Sequence, residues 1–398
     1  MPRLTDIIRR QGVAYVERHR GSILPSHARA VQRISRCRTP EMGGHLAACA
    51  QCGYEHLLYH SCRHRACPQC GHDSTTAWIE KQRSLLLPVP YFHVVFTLPD
   101  PLRRLVRSNQ KALLPLLFQA AFASLSALCA DPHYLGAPLI GALGVLHTWT
   151  RTIEWHPHIH MIVPGGGLAT DGTTWRSPPA RKQAFLVPIR ALAAGFRGRF
   201  LLSVQKALPQ VKLPQELWDK PWVVFAKSAV QGADKVLDYL GRYVHKTAIS
   251  DHAIEASNDA TVTFRYRRSQ DGQQRRMTLD TDEFLRRFLQ HVPPKGFHRV
   301  RSFGLLHSAH RSKLRELQER FAIAQEAKAM QSTSKAEPTL GRKARRCPRC
   351  QTPAVVLVRR LQPDECKEYL LMLEDRQVAN RARAPPDALC PAALAVAG

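Results

Sequence analysis

The spacing of apolar positions along the chain predicts helices and strands in mixed order. Leu4, Ile7 and Ile8 recur at helical spacing among basic residues, so residues 4–20 are predicted to form a short amphipathic helix. Strand-forming residues fill positions 91–98 between prolines, which predicts the first strand of a sheet. Because the elements that follow lack strict βαβ alternation, the pattern predicts an α+β domain.

Further apolar segments extend this prediction along the chain. Apolar positions at helical spacing predict helices at 74–88, 188–207 and 233–247 and one or two helices at 101–130. Strand patterns predict one or two strands at 143–163, a strand at 222–226 and a hairpin at 262–279. Asp280 can cap a helix that contains Phe284 and Phe288.

Two histidines flank one apolar residue inside the predicted strand region 143–163. Side chains alternate across a strand, so His158 and His160 are expected on one face, within reach of one divalent metal. A third protein ligand is expected. His147 is the first candidate, and Glu154 and His156 remain open. A His-x-His motif alone is a weak signal, since histidines often lie satisfied in a core.

Two tyrosines stand four residues apart in a later segment. If that segment is helical, the hydroxyls of Tyr239 and Tyr243 lie on one face, although such a pair is also common in helix packing. A phenol with its ordinary pKa of about 10 is a poor nucleophile at neutral pH. A divalent ion that draws charge from a phosphate would favour the attack. Together the two motifs predict tyrosine attack on a DNA phosphodiester.

Basic residues greatly outnumber acidic ones in this chain. Lys and Arg total 58 against 31 Asp and Glu, a formal charge of +27, which favours a polyanionic partner, most often nucleic acid. The first residues lack the apolar core of a signal peptide. The longest apolar run, 112–130, is interrupted by Pro115 and polar residues, so we interpret it as a buried helix. We therefore expect a cytoplasmic protein without a membrane partner.

Cysteines cluster near the amino terminus. The chain has 11 cysteines, an odd number in a long chain, which argues against a secreted disulfide scaffold. Two C-x2-C knuckles separated by 14 residues have nearly the spacing of a four-cysteine zinc ribbon; they are Cys49–Cys52 and Cys67–Cys70. Cys37 and Cys62 remain for a second site whose full ligand set the sequence does not determine. Residues 37–72 are poor in periodic apolar positions and are expected to need metal to fold.

The carboxyl-terminal part gives weaker signals. Cys347 and Cys350 form a single knuckle with no clear partner pair. Residues 327–346 have the composition of a linker, and residues 376–398 are predicted to be disordered.

These motifs, together with several further segments, resemble a known family over roughly residues 8–320. They are the cysteine segment 37–70, then 90–99, 146–149, 156–160, 163–167, 239–243 and 248–250. Together they resemble the insertion sequence 91 family of rolling-circle transposases, which are HUH endonucleases. The resemblance implies a ferredoxin-like antiparallel sheet with the two histidines on a central strand. It implies cleavage of single-stranded DNA at the ends of a mobile element, with a 5′-phosphotyrosine intermediate. Carried over, Tyr239 and Tyr243 are the nucleophiles and His158 and His160 the metal ligands.

The predicted organisation has four parts: a basic amino-terminal helix at 1–30, a zinc-binding domain at 31–80, an HUH catalytic domain at 85–320, and a linker, lone knuckle and disordered tail at 327–398. Structural Zn²⁺ and catalytic Mg²⁺ or Mn²⁺ are the expected cofactors. Single-stranded element ends and target DNA are the expected partners. Host replication machinery is a further candidate, because a released 3′-OH can prime replication. Two alternatives stay open: a plasmid replication initiator or relaxase with the same chemistry, and a catalytically inactive zinc-dependent DNA-binding protein.

Overall fold

The computed structural model describes residues 2–178, 186–228, 241, 247–268, 270–329 and 346–382. The chain divides into two compact units. The larger unit comprises Met1–Ser35 and His64–Lys335, and the smaller comprises Arg36–Arg63 and Ala336–Gly398.

Helices and strands alternate irregularly along the described residues. The helices are α1 Leu4–Arg18, α2 Pro25–Ser35, α3 Pro68–Arg83, α4 Asp100–Ser108, α5 Gln110–Ala130, α6 Ile189–Ala207, α7 Glu216–Asp219, α8 Thr281–Leu289, α9 Arg311–Ala329 and α10 Pro363–Ala382. The strands are β1 Gly44–Cys49, β2 Glu55–Tyr59, β3 Tyr91–Thr97, β4 Leu139–Trp149, β5 Trp155–Pro164, β6 Gly167–Leu168, β7 Trp175–Arg176, β8 Val224–Ser228, β9 Ile254–Ser257, β10 Thr261–Arg267, β11 Gln274–Asp280, β12 Val300–Gly304 and β13 Val355–Leu361.

The larger unit is built on an antiparallel sheet. Its strand order is β7-β6-β4-β5-β3-β8, and β12 pairs with β4. Strand β5 therefore lies between β4 and β3, in the interior of the sheet. This mixed helical and antiparallel architecture confirms the predicted α+β class.

One face of this sheet is covered by helices α5 and α6. Leu146, Ile159 and Met161 of the central strands pack in one buried cluster with Phe118 of α5 and Phe196 of α6. Burying each such side chain contributes about 1.5–3 kcal/mol. By length and composition alone, α5 could cross a bilayer. Its apolar side chains instead contribute to this cluster, as expected for the core helix of a globular unit.

A smaller sheet of β9, β10 and β11 leads into α8. The antiparallel pairing of β10 with β11 confirms the hairpin predicted at 262–279. Helix α8 begins directly after Asp280, which occupies the N-cap position but makes no side-chain capping hydrogen bond. The position of the helix was thus predicted correctly, whereas the capping contact was not.

The smaller unit joins chain segments that are distant in sequence. Strand β1 pairs with β2 on one side and with β13 on the other, both antiparallel. Leu46, Leu361 and Cys366 form a small buried cluster, against which Tyr59 and Tyr369 pack. Helix α10 extends to Ala382, so the prediction of disorder is corrected for residues 376–382, whereas 383–398 lies outside the described residues. The first half of this helix packs in the smaller unit through Cys366 and Tyr369. The predicted linker falls largely on 330–345, which lies outside the described residues.

Candidate metal centre

Strand β5 separates apolar from imidazole side chains by simple alternation. Ile159 and Met161 are fully buried in the core beneath the sheet. His156, His158 and His160 point to the opposite face and are partly buried. The local pattern of this segment therefore sets which face carries the histidines.

Strand β4 brings a third histidine to the same face. His147 lies directly opposite His158 in the antiparallel pair, and Val145 lies opposite His160. Directly opposed residues have Cβ atoms about 4.5–5.5 Å apart. His147, His158 and His160 each offer a ring nitrogen, and these nitrogens lie within 4.8 Å of one another. Of the three open candidates, the structure thus groups His147 with the His-x-His pair.

The other two candidates for a third ligand are placed differently. The exposed carboxylate of Glu154 pairs with Arg287 at 3.8 Å. His156 occupies the same face as His158, with ring centroids 5.4 Å apart. Its backbone carbonyl accepts a hydrogen bond from the ring of His158.

Hydrogen bonding selects the ring nitrogen that His158 offers. Its Nδ1 lies 2.7 Å from the carbonyl oxygen of His156, so Nδ1–H donates and Nε2 is left as the ligand atom. Burial lowers the pKa of His158, which favours the neutral form that binds metals.

His93 on β3 contacts the histidine cluster, although the sequence motifs gave no reason to place it there. Its Nε2 lies 2.9 Å from Nδ1 of His160, and the two rings are nearly parallel with centroids 5.1 Å apart. Burial lowers the pKa of His93 to about 4, so His93 is neutral and its Nε2 can accept from Nδ1–H of His160. His160 then also presents Nε2 as a ligand atom. The available signal was an isolated histidine in an otherwise apolar strand.

The donor set fits a divalent ion bound by nitrogen. Three imidazoles suit Zn²⁺, Mn²⁺ or Ni²⁺, and a Mg²⁺ or Mn²⁺ ion would complete its shell with phosphate oxygens and water. Because the protein would supply only three ligands, the remaining coordination positions of the ion would be open to a substrate. The predicted nucleophiles Tyr239 and Tyr243 lie outside the described residues.

The smaller unit gathers four thiols. They are Cys49, Cys52, Cys347 and Cys350, whose sulfur atoms lie within 4.8 Å of one another. The predicted ribbon is therefore corrected in its pairing. The knuckle that joins Cys49–Cys52 is Cys347–Cys350 rather than Cys67–Cys70, and the carboxyl-terminal knuckle is not alone.

Four further cysteines are buried in the amino-terminal segment. Within the smaller unit, the amide of Cys62 donates to Sγ of Cys37 at 3.4 Å. Within the larger unit, Cys67 directly precedes α3 and Cys70 lies in its first turn.

Fold and sites together define a metal-binding α+β protein with a cysteine-rich unit. The transposase zinc-binding domain model matches residues 7–98, and the model described as "Putative transposase" matches residues 141–313. "Putative transposase y4qJ" of Sinorhizobium fredii is 38% identical, over 90% of this chain and 95% of the relative. "Transposase for insertion sequence element IS801" of Pseudomonas savastanoi is 32% identical, over 72% of each. No solved structure matches the chain significantly.

The chain belongs to the insertion sequence 91 family of transposases, as the resemblance implied. It is therefore an enzyme that acts on DNA and carries a domain that binds Zn²⁺.

Proposed function

We propose that this transposase nicks and joins single-stranded DNA at element ends by metal-assisted tyrosine attack. The single observation that carries the proposal is the cluster of His147, His158 and His160 on one face of the antiparallel sheet. Strand β8 belongs to the same sheet and ends at Ser228, and the chain then continues into the segment with Tyr239 and Tyr243.

The reaction balances without an external energy source. The phenolic oxygen of Tyr239 or Tyr243 forms a bond to phosphorus as it loses its proton, and the bond from phosphorus to the 3′ oxygen breaks. The products are a 5′-phosphotyrosine and a free 3′-OH. Because the phosphoester bond energy is conserved, attack by a 3′-OH on the phosphotyrosine rejoins DNA. A second tyrosine allows one end to be held while another strand is cleaved.

The chain's own residues prepare the site for this chemistry. His147, His158 and His160 would hold Mg²⁺ or Mn²⁺, which when bound draws charge from the scissile phosphate. The carbonyl of His156 and the ring of His93 hold Nδ1 of His158 and His160, so that Nε2 of each ring would be the ligand atom. The excess positive charge of the chain favours association with DNA at low salt. Host replication machinery would be a partner where the released 3′-OH primes synthesis.

The zinc ligands of the amino-terminal segment belong to the same proposal. Cys37, Cys62, Cys67 and Cys70 are buried thiols inside the matched zinc-binding region. We propose that each of them serves as a ligand of structural Zn²⁺.

A nicking assay tests the tyrosine chemistry. Single-stranded oligonucleotides from the DNA flanking the gene are incubated with the full chain and Mg²⁺ or Mn²⁺, and products are separated on a denaturing protein gel. We expect a metal-dependent protein–DNA adduct that disappears in the double variant Tyr239→Phe/Tyr243→Phe, whose DNA affinity is unchanged. Tyr266→Phe, a tyrosine on β10, is the matched control and should retain the adduct.

Two results would contradict the proposal. An adduct that survives in the double variant would assign the attack to another residue. Tight DNA binding without any adduct in the wild type would favour a catalytically inactive DNA-binding protein.

A further inference from the structure

Cys49, Cys52, Cys347 and Cys350 form the four-cysteine group, which consists of two C-x2-C knuckles. The two knuckles have the same pattern of backbone hydrogen bonds. In the first, the amide of Gly53 donates to the carbonyl of Cys49 at 2.9 Å. In the second, the amide of Gln351 donates to the carbonyl of Cys347, also at 2.9 Å. Gly53 and Gln351 both adopt positive φ, 67° and 60°.

A second pair of backbone hydrogen bonds repeats this equivalence. The amide of Cys49 donates to the carbonyl of Tyr54 at 3.0 Å, and that of Cys347 donates to the carbonyl of Thr352 at 2.8 Å. A non-glycine residue held at positive φ, as at Gln351, is uncommon. The same left-handed position therefore closes both turns, with glycine in the first and glutamine in the second.

The distances between sulfur atoms of opposite knuckles fit one tetrahedral ion. Cys49 Sγ lies 3.6 Å from Cys350 Sγ, and Cys52 Sγ lies 3.7 Å from Cys347 Sγ. With Zn–S bonds of about 2.3 Å, the edge of a tetrahedron is about 3.8 Å. A disulfide requires about 2.05 Å between sulfur atoms, so the geometry does not describe two disulfides.

Thr352 adds a polar group beside the thiols. Its hydroxyl oxygen lies 2.9 Å from Cys350 Sγ and 3.8 Å from Cys49 Sγ, so it can donate a hydrogen bond to a thiolate, the form that zinc requires.

The surrounding apolar core is small. Among the described residues of the smaller unit, one cluster contains only Leu46, Leu361 and Cys366 as buried members. A core of this size cannot stabilise a three-stranded unit alone, so a metal cross-link is needed to offset the entropy of ordering the chain.

We propose that Cys49, Cys52, Cys347 and Cys350 bind one Zn²⁺ and that this ion fastens the carboxyl-terminal segment 346–382 to β1 and β2. The matched zinc-binding domain ends at residue 98, so half of this ligand set lies far outside it. The zinc ribbon is thus completed by residues about three hundred positions away, and the segment 346–382 folds only when the ion is bound.

Differential alkylation of the zinc-loaded, full-length wild-type protein tests the proposal without altering its folding. Thiols are labelled at increasing concentrations of a zinc chelator, and each cysteine is located by peptide mass spectrometry. We expect the two knuckles to be protected at first and to become reactive together, at one chelator concentration. Cys129, a buried thiol in α5, should keep its protection throughout. Free labelling of Cys347 and Cys350 while Cys49 and Cys52 stay protected would overturn the proposal.

Zinc content of variants provides the second measurement. Cys347→Ser/Cys350→Ser and Cys49→Ser/Cys52→Ser should each lose one equivalent of zinc, and the fourfold variant should also lose one. Cys129→Ser should lose none. Full zinc content in Cys347→Ser/Cys350→Ser, or a greater loss of zinc in the fourfold variant than in Cys49→Ser/Cys52→Ser, would refute a shared ion.

Discussion

The histidine cluster and the four-cysteine group differ in how the chain assembles them. His147, His158 and His160 come from two neighbouring strands joined by a short turn, so strand register alone places them together. In the four-cysteine group, the cysteines whose sulfur atoms lie close together are separated by 295 to 301 positions in the sequence. The first site is held by a sheet with a large apolar core, and the second lies in a unit with a small one. We infer that the first can exist before its ion binds, whereas the second depends on its ion.

Substitution of a histidine ligand is expected to give the largest effect and to separate the two sites. His158→Ala should lower nicking about a thousandfold, or about 4 kcal/mol, because metal stabilisation of the developing charge is lost. Zinc content and the thermal unfolding transition should stay close to those of the wild type. His133→Ala, on an exposed turn, is the matched control. A comparable loss in the control, or wild-type nicking in His158→Ala, would contradict the assignment.

The reverse experiment perturbs the cysteine group. Cys49→Ser should release one equivalent of zinc and make the smaller unit sensitive to protease, because little apolar burial remains to hold it. An unchanged zinc content in Cys49→Ser would refute the ligand assignment.

Sequence reasoning succeeded where the deciding interactions are local. Residues 91–98 were predicted to be a strand because prolines bound a run of strand-forming residues, and β3 spans Tyr91–Thr97. The His-x-His motif predicted a shared face because alternation within one strand needs no knowledge of its neighbours. The choice of His147 required the register of β4 against β5, which fixes His147 opposite His158 and which periodicity alone does not give.

Sequence reasoning failed where long-range pairing decides. A C-x2-C knuckle has the same local pattern whichever knuckle completes its site, so proximity in sequence favoured Cys67–Cys70 over the actual partner. The carboxyl-terminal knuckle is followed by Gln351 rather than glycine, which hid its likeness to the first. Helix α10 was missed because its composition is polar, and its packing against the distant strand β1 was not visible locally.

Substitution of His93 is expected to give an intermediate effect. His93→Phe keeps a buried ring but removes the acceptor for Nδ1–H of His160, so that ligand loses its fixed orientation. Loss of such a partner lowers metal affinity about 10–100-fold. The metal concentration that half-activates nicking should rise by this factor, while the rate at saturating metal changes little.

Two matched variants distinguish orientation from general stability. His93→Gln retains an acceptor and should restore part of the metal affinity. Tyr91→Phe, on the same strand, removes a buried hydroxyl that accepts from the amide of Leu87 at 2.8 Å and should cost stability without changing metal dependence. An unaltered metal dependence in His93→Phe would remove His93 from the site.

The smallest expected effect concerns pH and the turn that joins β4 to β5. His291 is buried. Its Nε2–H donates to the carbonyl of Ile153 at 3.0 Å, and its Nδ1 accepts from the hydroxyl of Thr148 at 3.1 Å. Burial lowers the pKa of His291 to about 3, below the ordinary value of 6.5. The unfolded chain therefore takes up the proton first, and the stabilising contribution present above pH 6.5 is lost as pH falls.

The loss amounts to at most about 1.4 kcal/mol per pH unit below the unfolded pKa, or about 2 kcal/mol at pH 5. Urea unfolding followed by fluorescence of Trp149 and Trp155, whose rings lie 6.0 Å from that of His291, should show this slope. His291→Gln can keep both hydrogen bonds but does not titrate, so its stability should fall less steeply than that of the wild type. Equal slopes in the two proteins would show that this part of the larger unit owes its acid sensitivity to other groups.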